Sequence, residues 1–168
     1  MKNTKAAILE KGSTLFLKAA VIAAGLAALA ICLFALPAVW THTPDEYPDI
    51  AYALYAIIFA AWMAAIPFFV ALYQVLLLVS YVDKNKAFSE LSASALKRIA
   101  YCGATVSAIF AAVLPFFYIW AQKEDAPGLI VICLILSVVS FAVAVLAGVF
   151  RRLLREAIAM KSENDLTV

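Results

Sequence analysis

Residues 129–150 read LIVICLILSVVSFAVAVLAGVF, and residues 151–155 continue as RRLLR. The first stretch holds no charged side chain and exceeds the ~18 apolar residues that mark a membrane-spanning candidate. Lipid offers the backbone no hydrogen-bond partner, so such a segment is a helix or a strand of a closed barrel. Barrel strands are short and alternate apolar with polar residues. This run does neither, and it is read as a transmembrane helix stopped by its arginines.

Three more runs have the same character, at roughly 15–39, 50–82 and 99–121. None contains Asp or Glu. Lys18 lies inside the first, near a rim where its stem can snorkel to the headgroups. The whole chain is 67% hydrophobic and 14% charged, whereas a soluble domain is about half apolar and about a quarter charged. The mean hydropathy is +1.00. The expected fold is all-α, an integral membrane four-helix bundle. Residues 1–14 form a basic arm, 15–150 the four-span domain and 151–168 a helical extension and tail. The first run is longer than the ~7–15 apolar residues of a signal peptide, so it is expected to remain as a span.

Lys and Arg in short loops set orientation. Of the 13 Lys and Arg, all but Lys123 lie in the arm, at the Lys18 rim, in the 83–98 region or in the tail. The two other loops carry Asp45, Glu46, Asp49, Glu124 and Asp125. Both termini are therefore expected in the cytoplasm.

Local signals refine the spans. Gly12-Ser13-Thr14 is expected to break or cap the arm before span one, and Leu36-Pro37 to end that span, leaving an outer loop over 41–49. Pro67 lacks a backbone donor and can kink span two. Ser89 is a plausible N-cap for span three, and Pro127-Gly128 marks a tight turn before span four. The last helix is expected to end near Ser162. Small residues recur at Ala20, Ala24 and Ala28, at Ala104, Ala108 and Ala112, and at Ala144 and Gly148, a pattern that lets helices approach closely.

No catalytic, metal or cofactor site is expected. His42, the one histidine, lies in an outer loop without the several spaced ligands a metal needs. Cys32, Cys102 and Cys133 lie within spans and read as small buried hydrophobes. Ser107, Ser137 and Ser140 are expected to bond carbonyls of their own helices. Gln74, deep in span two, is the candidate polar contact between helices. Ion-coupled carriers place ionisable groups within the membrane, and these runs carry none beyond the rim.

Three stretches carry a family resemblance: Ile66-Pro67-Phe68-Phe69 through Tyr73-Gln74, Asp83-Lys84-Asn85-Lys86-Ala87-Phe88-Ser89, and Glu163-Asn164-Asp165-Leu166-Thr167-Val168. They resemble a bacterial family of small four-span membrane proteins, domain of unknown function family 2975. The likeness covers nearly the whole chain, and its inner loop and tail are most specific because hydrophobicity alone does not demand them. It implies a bacterial cytoplasmic membrane and no catalytic residues. Many members are encoded beside a very small helix-turn-helix regulator, which implies a sensing or sequestering role for the membrane protein. The candidate docking residues are then Asp83, Lys84, Lys86, Phe88, Glu90, Glu163, Asp165, Leu166 and Val168. The expected contacts are the lipid bilayer, such a regulator and further copies of the chain, with no direct contact to nucleic acid. Two other classes stay open: a small-solute pore or a protein protecting against membrane-active peptides, and a structural bundle within a larger membrane complex.

Reporter fusions after Lys11, within 85–89 and after Val168 should all read cytoplasmic, and fusions near Asp45 and Asp125 external. An external C-terminus would rule out the four-span topology.

Overall fold

The computed structural model describes residues 2–84 and 87–166, with side chains described over 14–163 apart from 44, 46, 85 and 86. The elements are α1 (Lys2–Ala30), a π-helical turn (Ile31–Ala35), α2 (Leu36–Glu46), α3 (Ala51–Asp83), α4 (Glu90–Lys123) and α5 (Gly128–Leu166). Four helical segments are long and apolar enough to cross a membrane: Thr14–Thr43, Ala51–Asp83, Glu90–Lys123 and Gly128–Glu163. The last three helices have 33, 34 and 39 residues. At ~1.5 Å per residue each is longer than the ~30 Å hydrocarbon core, so each tilts or projects.

Two expected helix breaks do not occur. α1 runs unbroken through Gly12-Ser13-Thr14, because one glycine costs a helix only ~1 kcal/mol and lipid-facing turns beyond it bond no other partner. Span one likewise does not end at Leu36-Pro37. Pro37 lies in the first turn of α2, where its missing N–H is least harmful, and the chain enters it through the π turn. There the Leu36 N–H bonds Ile31 O, one residue further back than in an α-helix, and the wider turn accommodates the ring. The helix then continues to Glu46, and the outer loop shrinks to 47–50.

The other ends follow local chemistry. Ser89 is extended, and its hydroxyl accepts from the Ser92 N–H at 3.4 Å, the expected N-cap. α4 closes with Asp125 in the left-handed region at φ 50. The Glu124 and Ala126 amides bond Trp120 O and Ala121 O, a Schellman-type end that recovers two orphan carbonyls. Pro127 and Gly128 then lead into α5. Pro67 and Pro115 lie inside continuous helices. The last helix reaches Leu166 rather than ending near Ser162.

The helices pack side by side in the order α1, α3, α4, α5. Among the described residues α5 packs on α4 alone, and α1 on α3 alone apart from its own continuation. The four-helix bundle is thus an open row, with α3 and α4 as its inner members. Lipid tails are as apolar as leucine, so no hydrophobic pressure closes the row. Outer flanks such as Val131, Leu134, Val138 and Phe141 are more than half or about half exposed. A soluble monomer would not present so continuous an apolar surface.

The α4–α5 seam is the tightest contact. Along α5 the covered positions are Cys133, Ser137, Ser140, Ala144, Ala147, Arg151 and Leu154, spaced by alternating fours and threes as in a coiled-coil seam. On α4 it is Gly103, not the alanines, that permits the approach. A Cβ there would lie 3.0 Å from Ser140 O and 3.2 Å from Ala144 N. Ala104, Ala108 and Ala112 are exposed, as are Ala20, Ala24 and Gly148. Their spacing reflects the abundance of alanine rather than an interface.

Close approach changes where the serines bond. Ser137 Oγ donates across the seam to Ser107 O at 3.1 Å, and Cys133 Sγ lies 3.4 Å from Phe110 O. Ser107 and Ser137 therefore do not serve their own helices, as expected, but tie two helices together. Ser80 and Thr105 do bond the carbonyls of Leu76 and Tyr101, four residues back.

Replacing Gly103 by Leu should destabilise the protein by about 1–3 kcal/mol through overpacking. Gly148→Leu, where no atom lies within 4 Å of an added Cβ, should be nearly neutral. Unfolding in detergent micelles compares the two.

Candidate functional site

Antiparallel packing of four spans puts the start of α1, the end of α3, the start of α4 and the end of α5 on one side. That side carries most of the basic residues. Lys18, on α1, forms an ion pair with Asp83 at the end of α3. Both side chains are about one-third exposed, so the pair sits where the apolar runs meet polar surroundings. Asp83, a candidate docking residue, thus serves first to fasten α1. Lys84, Phe88 and Glu90 are exposed, and Phe88 is 67% exposed, an apolar side chain standing free beside a helix start. Lys86 and Val168 lie outside the described residues.

α5 carries the tail past this surface. Gly103 opposite Ala144 fixes the antiparallel register, which brings Glu90 level with 157–158. Glu163, Asp165 and Leu166 then stand roughly 8–12 Å further along a helix rising 1.5 Å per residue. α3 and α5 do not touch among the described residues. The loop and the tail are therefore neighbours on one side, with the start of α4 between them. Along α5, Arg152 pairs with Glu156 at 3.5 Å one turn later. Gln74 is buried at 4% exposure, as a polar group within a span should be. The cross-helix hydrogen bonds of the α4–α5 seam come from Ser107, Ser137 and Cys133.

A groove of about 260 Å³ lies between α4 and α5 near the loop side. Lys97, Tyr101 and Arg151 stand at it, with Ala100, Ala104 and Ala144 as its small apolar lining. The Lys97 ammonium lies 5.8 Å from the Tyr101 ring centre. Arg151 Nε is buried and has no hydrogen-bond partner among the described residues. From the sequence, Arg151 is one of the arginines that stop span four and Lys97 one of the basic residues of the 83–98 region. Their joint position depends on the α4–α5 register, which no single helix reveals.

On the opposite side, Asp49 accepts from Lys123 at 3.0 Å. An exposed pair of this kind is worth about 0–1 kcal/mol. Trp40 packs on Tyr55 and Trp62, with ring centres 4.4 and 6.0 Å away, an interfacial aromatic belt. A cavity of about 340 Å³ lies among Val39, His42, Thr43, Tyr47, Leu54 and Trp120. Among the described residues no three His, Cys, Asp or Glu side chains converge on a point, and Cys32, Cys102 and Cys133 are free thiols.

Trp62 has a second task. The α-helical partner of Cys32 O would be the Leu36 N–H, which is committed to Ile31 O. The π-helical partner would be Pro37, which has no N–H. Trp62 Nε1 donates to the stranded Cys32 carbonyl at 3.4 Å, in surroundings where an unsatisfied carbonyl is costly.

These features define a small four-span helical membrane protein with a basic loop side and no assembled reaction centre among its described side chains. The chain belongs to the family described as protein of unknown function, DUF2975, which it matches over residues 38–168. It is 50% identical over 156 residues to the uncharacterized membrane protein YoaS of Bacillus subtilis (strain 168), covering 93% of this chain and 98% of that one. No solved structure matches it. The three stretches that carried the resemblance all lie within the matched residues.

Trp62→Phe should lower stability by about 1 kcal/mol, the scale of a hydrogen bond between membrane helices. In a Pro37→Ala background, where Cys32 O can regain a backbone partner, the loss should shrink. Equal losses in both backgrounds would show that the indole bond serves no stranded carbonyl. A double-mutant cycle on thermal unfolding in micelles measures both.

Proposed function

We propose that the chain is a non-enzymatic interaction module of the bacterial cytoplasmic membrane, with both termini cytoplasmic. In this reading its loop and tail hold a small helix-turn-helix regulator at the membrane or release it on a signal. The supporting observation is that α5 runs without interruption from the span to Leu166. The acidic tail therefore rides on a helical arm that passes the start of α4. Glu163 and Asp165 suit the basic surface with which a DNA-binding protein meets phosphates. Docking there would compete with DNA and inhibit the regulator, and the chain itself need not touch nucleic acid. Phe88 offers an apolar contact beside the charged loop.

A second reading, a subunit of a larger membrane assembly or a homo-oligomer, is favoured by the open row. Its α1 and α5 flanks are covered by no other part of the chain among the described residues. Further spans, from copies or partners, would pack there. A solute pore or protection against membrane-active peptides has no comparable support, since the open row encloses no polar channel among the described residues.

Deleting 163–168 in the native host tests the first reading. The shortened protein should still insert and accumulate, but crosslinking pull-down should no longer capture a small DNA-binding protein, and transcription of the chain's own operon should change. If capture and transcription both match the full-length chain, the docking role falls.

A further inference from the structure

We propose that the groove between α4 and α5 binds the headgroup of an anionic phospholipid, an inference independent of the docking role above. The apolar run 99–121 begins two residues after Lys97, and the run 129–150 ends one residue before Arg151. Antiparallel packing brings these two run boundaries together at one groove. Both cations thus stand where the hydrocarbon gives way to lipid phosphates. From that level the groove continues toward the membrane interior over Ala104 and Ala144, each about two turns in from its cation. Gly148, between Ala144 and Arg151, faces open space. A phosphate at the cations and an acyl chain over the small residues would fill this shape.

The charges at the groove are of one sign. No carboxylate lines the groove. Two other basic groups on this side have carboxylate partners: Lys18 pairs with Asp83 and Arg152 with Glu156. Arg151 keeps a buried Nε–H without a partner among the described residues, and a buried donor of a charged group is expensive to leave unpaired. A phosphate oxygen would satisfy it, with the planar guanidinium suited to two oxygens at once. Lys97, held over the Tyr101 ring, supplies a second positive charge from the other helix. Basic pockets between membrane helices recognise anionic headgroups by this chemistry. A free phosphate would have no use for the alanine floor, and a protein helix would bury two unmatched cations, which interface cores avoid.

The test is native mass spectrometry of the full chain in detergent micelles. It is titrated separately with phosphatidylglycerol, with phosphatidylcholine of the same acyl chains and with inorganic phosphate. The wild type should retain one phosphatidylglycerol with at least about tenfold preference over phosphatidylcholine, given the worth of a basic residue near an anionic surface. Millimolar inorganic phosphate should not displace it. K97Q/R151Q should lose the preference, and Ala104→Phe, at an exposed position, should reduce retention of both lipids while helicity and unfolding temperature hold. K97Q alone replaces the double variant if the latter fails to insert, and should lower the preference severalfold. Equal retention of the two lipids by the wild type would overturn the proposal. So would displacement by inorganic phosphate, or wild-type preference in the groove variants.

Discussion

A backbone carbonyl or amide facing lipid has no water to bond, and each one left alone costs several kcal/mol. The structure depends on that constraint at every irregular point. Pro37 would strand carbonyls in the middle of an apolar run. The chain answers with a π turn and a tryptophan from the next span. The end of α4 recovers its carbonyls through a left-handed Asp125, and the start of α4 is met by Ser89. These residues share no chemistry beyond supplying a partner where the helical ladder has a gap. Gly12-Ser13-Thr14 lies on the polar side of the Lys18 rim, and α1 continues through it because one glycine costs a helix only ~1 kcal/mol.

Because each helix satisfies itself, the contacts between helices are left to shape. Two faces decide the arrangement. Gly103 and Ala144 let α4 and α5 approach until Ser137 reaches a carbonyl of the neighbouring helix. α3 also packs on α4, and a cluster of Ala60, Val113, Phe117 and Cys133 joins α3, α4 and α5. α1 has no comparable seam. The most apolar window of its span is uncovered, and it is fastened to α3 by polar contacts, Lys18 with Asp83 at one rim and Trp62 with Cys32 O within the span. The family match begins at residue 38, just after Pro37, so α1 and its π turn fall outside the matched part. Three helices form the packed unit, and the first is held against its edge.

The four spans were legible because membrane insertion reads a sum of hydrophobicity, which a sequence contains. The Ser89 cap and the turn after Lys123 were legible because they depend on neighbouring residues. The helix–helix contacts were not. The alanine spacing at 104, 108 and 112 fits an interface as well as Gly103 and Ser107 do, and only the partner helix chooses between faces one residue apart. Gln74 was legible as buried, since a primary amide within an apolar run avoids lipid. Its neighbours across α3 depend on rotations that the run does not encode. Pro37 misled for a related reason. Proline ends helices in water, where an open backbone is solvated, but in lipid the alternative to a distorted helix is worse. Of the candidate docking residues, the loop and tail were recognisable as polar surface, whereas the tie between Asp83 and Lys18 joins positions 65 residues apart.

That tie bears on how the basic side of the molecule is used. Positive residues are often read only as a device for orientation, which any exposed Lys or Arg near a span would satisfy. Here they fall into distinct roles. Lys18 fastens a helix and Arg152 is matched within its own helix. Lys97 and Arg151 come from different helices and meet at one groove without a carboxylate. Orientation alone does not require that convergence, nor the small residues that extend the groove toward the interior. It follows from the register that Gly103 permits. Moving α5 along α4 by one turn would shift Arg151 by ~5.4 Å and separate the two charges. The close helix contact and the paired cations are therefore consequences of the same glycine.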